Sequence, residues 1–311
     1  MNRRLRNENG QTMVFMAVSI AALLGMSAFV LDVGSWFRAD RETQSIADAA
    51  ALAGAQALPE DAGAARALAR EYANDKNSGS VTDADITIST TVMGNDTIQV
   101  RAKDQADSFF AKILGFGTID VGSAAKARSG LPSEAKYVAP IAVDEEYEGL
   151  QCVLNPPCSG DQLDLVKLFG NGQGPSGNFT LLDLRYGGNG APGNSELADW
   201  MVNGMPDAMP LGIYEGAPGA KFNSGPFQDA LASMYGEEVL LPVYRKPITQ
   251  QGSGAQYNIV GWVGFVPTGA SGGGSSGKVF GNFTRFIAQG LQATGGGGSE
   301  DFGVRVVQLV E

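Results

Sequence analysis

Acidic side chains are the first candidates for chemistry in this chain, which has 33 Asp and Glu residues against 22 Lys and Arg residues. They concentrate at residues 144–146 with Glu148, at 237–238 and at 300–301. Carboxylates at ordered spacing can bind calcium, and two carboxylates that lie far apart in the chain can hydrolyse a glycosidic bond. These clusters match no EF-hand pattern and nothing singles out a catalytic pair. We therefore interpret them as solvated acidic faces.

Histidine is absent from all 311 residues. Its absence excludes Ser-His-Asp and Cys-His catalytic arrangements, HExxH zinc sites and histidine proton relays. The net charge of −11 argues against nucleic acid as a partner, because neutralising phosphates requires a basic surface. We expect no enzymatic activity, no cofactor and no metal site.

The two cysteines, Cys152 and Cys158, enclose the sequence Val-Leu-Asn-Pro-Pro. An even pair at short spacing in an exported domain is typical of a disulfide that closes a turn. A redox-active dithiol usually has the shorter CxxC spacing. The sequence therefore predicts a structural disulfide.

Five aromatic residues, Trp200, Tyr214, Tyr235, Tyr244 and Trp262, are scattered over the second half of the chain. Aromatic side chains of this kind could line a sugar-binding surface. Scattered aromatics belong more often to a hydrophobic core. Both interpretations stay open from the sequence.

The element that must position the rest is the uncharged apolar segment at residues 12–31. About 20 apolar residues at ~1.5 Å each match the ~30 Å hydrocarbon core of a bilayer. Arg3, Arg4 and Arg6 precede the segment and Asp32 follows it. By the positive-inside rule, the N-terminus stays in the cytoplasm and the residues after the span lie outside.

A removable signal peptide is the alternative for this segment. Signal peptides have a shorter apolar stretch and a small-x-small cleavage site. Here the stretch is longer and bulky residues such as Trp36 and Phe37 follow it. An uncleaved membrane anchor over residues 12–37 is favoured.

The helix is expected to continue beyond the membrane to about Leu58, because residues 35–58 contain no proline and are rich in alanine. Small residues such as Ala47, Ala51 and Gly54 let neighbouring elements approach closely. They indicate either an ordinary packed helix or a helix that docks on copies of itself or on pilin-like partners. A second amphipathic helix is predicted through residues 65–73.

Residues 80–130 change to an alternating pattern that predicts a hairpin, a short amphipathic helix through Phe109, Phe110, Ile113 and Leu114, and a third strand near 119–127. Residues 131–311 contain 32 of the 43 glycines. Their short apolar runs between turns predict a β-rich domain with two short helices, which begin near Ser195 and Pro226.

Residues 9–58 resemble the N-terminal region of the TadG-like (TadE/TadG) proteins of the Flp/Tad pilus-assembly system. The resemblance extends over roughly the first 130 residues and continues more loosely to the C-terminus. The motifs that carry the resemblance are Gly10 before the span, Gly25 inside it, Leu31-Asp32-Val33-Gly34, Arg38 with Arg41, and the run Asp48–Ala55. The resemblance implies a pilin-like anchor helix and a role in assembling or tethering a Flp-type pilus. It places interaction residues at Gly25, Asp32 and Gly34 at the membrane exit, and at Ala47, Asp48, Ala51 and Gly54 along the helix.

Two departures from related patterns limit what the resemblance implies. Pilins cut by prepilin peptidase carry Glu five residues after the cleaved glycine, and Phe15 stands there if that glycine is Gly10. Many relatives carry a von Willebrand A domain with an Asp-x-Ser-x-Ser metal motif, which this sequence lacks. We therefore expect neither processing as a major pilin nor a magnesium-dependent adhesion site.

The sequence predicts an α+β protein of the cytoplasmic membrane. Its parts are a cytoplasmic basic tail (1–11), a transmembrane anchor (12–37), a helical module with a small antiparallel sheet (38–130) and a β-rich extracytoplasmic domain (131–311). The expected function is that of a non-enzymatic pilus-assembly component with pilin-like or pilus-platform partners and possible self-association. The alternatives are an independent surface adhesin or carbohydrate-binding protein and, with least support, an exported hydrolase.

Overall fold

The computed structural model describes residues 11–115, 117–147, 149–150, 163–166, 179–188, 190–245, 255–271, 277–288 and 299–310. The chain divides into two units. The first comprises residues 1–128 with 309–311, and the second comprises residues 129–308. The mixture of a long apolar helix, short helices and many strands confirms the predicted α+β class.

The first unit begins with α1 (Gln11–Ala55), a continuous helix of 45 residues. At ~1.5 Å per residue it is about 67 Å long, roughly twice the thickness of a bilayer core. The helix was predicted to reach about Leu58, but the α-helix ends at Ala55. The N–H groups of residues 56–58 bond to carbonyls three residues back instead of the four typical of an α-helix. This tightened last turn precedes Pro59, whose ring cannot continue a helix.

Helix α2 (Ala62–Arg70) follows after a short turn. Asp61 caps it, because its carboxylate accepts hydrogen bonds from the N–H groups of Gly63 and Ala64, both at 2.8 Å. The helix continues as a wider helical turn over Glu71–Lys76. Ala65 and Ala69 of α2 and Ala73 of the wider turn are buried, and all three lie within the predicted helix.

Three antiparallel strands complete the first unit: β1 (Ile86–Ser89), β2 (Thr97–Asp107) and β3 (Thr118–Gly130). In the central strand, Val100 lies opposite Ile86 on one side and Ala125 on the other. Helix α1 packs against β2 and α2 packs against α1. The predicted hairpin and third strand are confirmed.

The amphipathic helix predicted through Phe109–Leu114 is shorter in the structure and is not an α-helix. A single 3-10 turn spans Ala111–Leu114 and ends at Gly115, whose φ of 94° is left-handed and favours glycine. The segment is too short for an amphipathic α-helix to bury one face. Phe109, Phe110 and Ile113 are consequently exposed.

The second unit is built on a seven-stranded sheet with the order β6-β12-β11-β10-β5-β7, in which β9 also pairs with β11. Neighbours are antiparallel except β10 and β5, which run parallel. The strands are β5 (Ile141–Asp144), β6 (Leu163–Val166), β7 (Phe179–Leu181), β9 (Gly212–Glu215), β10 (Val239–Arg245), β11 (Gln256–Ser271) and β12 (Lys278–Thr284).

Helices and two further strand pairs accompany this sheet among the described residues. Helices α3 (Asn194–Asn203) and α4 (Gly225–Ser233) pack against each other, and α4 also contacts β11. The strand pairs are β4 (Glu134–Ala135) with β8 (Met209–Pro210), and β13 (Phe286–Ala288) with β14 (Val304–Val310). The core between helices and sheet contains large buried side chains, among them Phe179, Trp200, Phe222, Phe227, Leu241, Tyr244, Tyr257, Trp262 and Phe265.

Candidate functional site

The N-terminal part of α1 is an apolar surface that the described residues leave almost entirely exposed. By length and composition, this is the one helix among the described residues that is able to cross a membrane, and no part of its apolar window is buried. Its exposed large side chains are Met13, Val14, Phe15, Met16, Val18, Ile20, Leu23, Leu24, Met26, Phe29, Val30 and Leu31. A contiguous apolar surface of this size indicates contact with lipid or protein.

The exposed surface ends at Asp32, whose side chain is only 2% exposed. Its Oδ1 accepts a hydrogen bond from the N–H of Phe109 at 2.7 Å, and its Oδ2 accepts one from the N–H of Ala111 at 2.6 Å. The N–H of Phe110 lies 3.1 Å from both oxygens. One carboxylate therefore satisfies three successive backbone donors at the end of β2, which stabilises its negative charge.

The next turns of α1 continue these contacts. Ser35 Oγ donates to the carbonyls of Asp32 at 2.8 Å and Asp107 at 3.1 Å. Trp36 Nε1 donates to Ser108 Oγ at 3.3 Å. We call the contact of Asp32, Ser35 and Trp36 with residues 107–111 the exit clamp. It joins the end of the apolar segment directly to the sheet of the first unit.

Further along the helix the same face becomes apolar. Thr43 is buried with its Oγ1 3.4 Å from Ser123 Oγ, and Ala47, Ala51 and Gly54 follow at helical spacing. Together with Asp32 and Trp36, these residues form a single stripe that faces the unit's own sheet and α2. The side chain of Asp48 lies beside the stripe and accepts a hydrogen bond from Gln44 Nε2 at 2.7 Å.

The structure separates the predicted interaction residues into two groups. Ala47, Ala51 and Gly54 are fully or almost fully buried inside the first unit. A Cβ on Gly54 would lie 2.6 Å from Ile98 Cδ1 and 2.9 Å from the carbonyl oxygen of Ala65. This matches the alternative of an ordinary packed helix for these three residues.

Gly25 and Gly34, in contrast, are exposed, and a Cβ on either would meet no described atom within 4 Å. Seven residues, about two turns, separate Gly25 from Asp32, so these two share one side of α1. Gly34 lies nine residues from Gly25, about 2.5 turns, and so occupies the opposite side. A single partner helix cannot pack on both glycines along one straight face.

Several of the residues singled out from the sequence lie outside the part of the chain that the structure describes. These are the topology residues Arg3, Arg4 and Arg6, the first glycine of the family motif, Gly10, and the disulfide pair Cys152 and Cys158.

The acidic clusters of the second unit are not simply solvated. Arg245 donates from Nε to both carboxylate oxygens of Glu145, at 2.8 and 2.9 Å, and also pairs with Glu300 through Nη2. These two carboxylates hold the pKa of the Arg245 guanidinium above its ordinary value. Two of the three clusters are thus drawn together by one guanidinium, while Glu237 and Glu238 of the third are exposed.

The aromatic residues proposed for a sugar-binding surface are mostly in the core. Trp200, Tyr214, Tyr244 and Trp262 are buried, and only Tyr235 is partly exposed. Burial raises the pKa of the Tyr244 phenol above its ordinary value, as expected for a group removed from water. The sugar-binding interpretation of these side chains is therefore wrong for four of the five.

The sequence did not predict that residues 107–111 would bind Asp32, Ser35 and Trp36 in the exit clamp. The prediction placed Asp32 among the interaction residues at the membrane exit, and Phe109 and Phe110 in a short amphipathic helix, without connecting the two. A signal was present: Asp32, Ser35, Trp36 and Thr43 form a polar continuation of the alanine stripe on one helix face. Such a stripe at the end of an apolar segment needs polar partners in the folded unit.

The helix and the exit clamp define a class of protein, a chain with a candidate membrane anchor that leads without a break into a folded α+β unit. Residues 10–57 match the family described as "Putative Flp pilus-assembly TadE/G-like". The match confirms the resemblance of the N-terminal region, from the glycine before the span to the end of α1. No curated protein and no solved structure matches the chain.

Proposed function

We propose that this chain is a non-enzymatic, membrane-anchored component that helps to assemble or tether a Flp/Tad-type pilus. The family match over residues 10–57 supports involvement in pilus assembly in general. The observation that carries the proposal is the continuity of α1, which runs from an exposed apolar segment into the core of the first unit. A rigid connection of this kind suits a protein that positions others at the membrane surface.

The proposed location is the cytoplasmic membrane, with the N-terminus inside and the residues after the span outside. Three arginines before the span and none within it support this orientation through the positive-inside rule. A phosphatase reporter that folds only outside the cytoplasm, joined after Glu311, is expected to be active. An inactive reporter in a membrane-inserted fusion would reverse the topology.

The proposed docking surface for pilin-like or pilus-platform partners is the exposed side of α1, since Ala47, Ala51 and Gly54 are occupied within the unit. Gly34 and Phe37 remain accessible just beyond the apolar segment. Both lie away from the face that carries Asp32, given ~100° per residue. Gly34 and Phe37 are therefore accessible although Asp32, on the other face of α1, is bound to the turn.

Photo-cross-linking in cells that express the whole pilus system tests the docking surface. A photoreactive phenylalanine analogue at Phe37 preserves size and aromatic character. The matched control carries the analogue at Thr87, an exposed position on β1 of the same unit. We expect products with pilin-like or platform proteins from position 37 and not from position 87. If position 37 yields no product beyond the control, this face of α1 is not the docking surface.

The adhesin alternative receives no support from the described residues. Its sequence basis was the set of scattered aromatics, and four of the five are buried.

A further inference from the structure

The turn that follows β2 exposes apolar side chains although its backbone is well ordered by hydrogen bonds. The N–H of Ser108 bonds to the carbonyl of Gly117 at 3.0 Å and closes the base of the turn. Asp32 binds the N–H groups of residues 109–111. Yet Phe109 is 67% exposed, Phe110 42% and Ile113 82%. A turn held this firmly presents its apolar side chains in fixed positions, where they can act as a preformed surface.

The position of this turn along α1 is known from its contacts. Asp32, which binds it, directly follows the apolar segment, and the 3-10 turn Ala111–Leu114 itself contacts α1. Ala28, one helical turn before Asp32, is partly buried, whereas the other residues from Thr12 to Leu31 are exposed. The turn therefore lies beside the last turn of the apolar segment, about 6 Å or less from its end at ~1.5 Å rise per residue.

We propose that Phe109, Phe110 and Ile113 insert into the membrane interface beside α1, so that the first unit is attached to the lipid surface at two points. The occupant is phospholipid of the leaflet in which the span ends. Asp32 ends the exposed apolar segment of α1 and also binds the turn, so the exposed apolar side chains of α1 and of the turn are adjacent at the exit clamp. This inference rests on the proposed membrane anchoring by α1.

The composition around the turn fits the headgroup region of a bilayer. Phenylalanine and aliphatic side chains on the apolar face, with basic residues beside them, are typical of segments that lie in the interface. Lys112 is exposed within the turn, and Arg38 is exposed on α1 next to Phe37. Trp36 of the exit clamp lies at the same level, as expected for an aromatic belt. The carboxylate of Asp32 is shielded, because three N–H groups satisfy it.

Fluorescence quenching of the full-length chain in vesicles tests the proposal. The vesicles contain phosphatidylcholine and phosphatidylglycerol, and an environment-sensitive fluorophore is attached through an unnatural amino acid at one position at a time. Positions 109 and 113 report the turn, and Leu24 reports the anchor. Thr87 is the aqueous control, because its partner Gln99 lies eight residues along β2 from Asp107, about 27 Å at ~3.4 Å per residue.

We expect fluorophores at 109 and 113 to be quenched by lipids with a shallow nitroxide and to lose the quenching by aqueous iodide that position 87 shows. Position 24 should respond to a deep nitroxide. If positions 109 and 113 respond to iodide like position 87 while position 24 responds to lipid, the anchoring stands and this inference is overturned. Protection of position 109 from both quenchers would also overturn it, because a second copy of the chain would then cover the turn. Failure of position 24 to respond to lipid would overturn the anchoring itself.

Discussion

Both carboxylate oxygens of Asp32 lie 3.1 Å from the backbone nitrogen of Phe110, although 78 residues separate the two in the chain. Asp32 is the first charged residue after the apolar segment and Phe110 begins the exposed turn after β2. This contact joins the end of the apolar segment of α1 to the turn that follows β2 in the first unit. Four predictions follow from it and from three other contacts.

The first prediction concerns Asp32→Asn. The amide keeps the size of the side chain but removes the negative charge and places an NH2 group near three backbone donors. We expect amide hydrogen exchange at residues 109–111 to become faster by roughly an order of magnitude, because hydrogen bonds to a charged acceptor are about twice as strong as neutral ones. Exchange mass spectrometry in detergent measures this. Asp40→Asn, at an exposed position of the same helix, is the control, and equal exchange in both variants would contradict the prediction.

The second prediction compares two glycines of α1. A methyl group at Gly54 would contact Ile98, Ala65 and Ala69 at 2.6–3.1 Å, whereas one at Gly34 meets no described atom. Gly54→Ala should lower the free energy of unfolding of the first unit by about 1–3 kcal/mol through overpacking. Gly34→Ala should leave it unchanged or raise it by up to about 1 kcal/mol, because alanine favours helix. Chemical denaturation of the two variants decides this, and a stable Gly54→Ala protein would refute the close approach of α1 and β2.

The third prediction is a pH dependence at Asp96, which is buried in the turn between β1 and β2. Burial alone would raise its pKa, but hydrogen bonds from the N–H groups of Met93, Val92 and Thr91, with the Thr97 hydroxyl, outweigh it and lower the pKa below the ordinary 3.8. A carboxylate with a lowered pKa in the folded state stabilises the fold above its unfolded pKa and loses this contribution as pH falls through the folded pKa.

Asp96→Asn should therefore cost about 1–3 kcal/mol at neutral pH, where buried donors lose a charged acceptor. The difference from the natural chain should shrink as pH falls below about 3.8. Thermal unfolding followed between neutral and acid pH measures both effects. Asp75→Asn removes the same charge from an exposed position and should show neither effect. A difference that stays constant down to acid pH would show that the Asp96 carboxylate is not the stabilising group.

The fourth prediction concerns Arg245, which contacts Glu145 and Glu300. Arg245→Met leaves two carboxylates without their shared guanidinium, so the second unit should melt at a lower temperature. Arg245→Lys keeps the charge but loses the planar guanidinium that matches a carboxylate. Its melting temperature should therefore lie between those of the natural chain and the Met variant. Differential scanning calorimetry of the full-length chain resolves the order. A melting temperature of the Met variant equal to that of the natural chain would show that these ion pairs do not stabilise the unit.

Local patterns were sufficient for most elements of the fold. The uncharged run predicted the apolar helix, the alternation at 86–102 predicted the hairpin, and Pro226 correctly marked the start of α4. These features depend on periodicity and on residues close in sequence, which one chain shows directly. The short turn at 109–114 was predicted wrongly, since its few residues carry too little periodicity to distinguish a helix from a turn.

The sequence by itself determined that the chain has an apolar segment, a helix that continues beyond it, and a family resemblance, which the family match bears out over residues 10–57. The tertiary structure decided which side of that helix is free. Ala51 and Gly54 are packing residues, because β2 and α2 lie against this face of α1. Asp32 binds the backbone of Phe109 and Phe110, which are 77 and 78 residues away in the chain. Small residues in a sequence indicate that another element can approach closely, but they do not identify that element. A buried carboxylate likewise requires hydrogen-bond donors, but the sequence does not show where in the chain those donors lie. The tertiary structure identifies the packing neighbour and the donors.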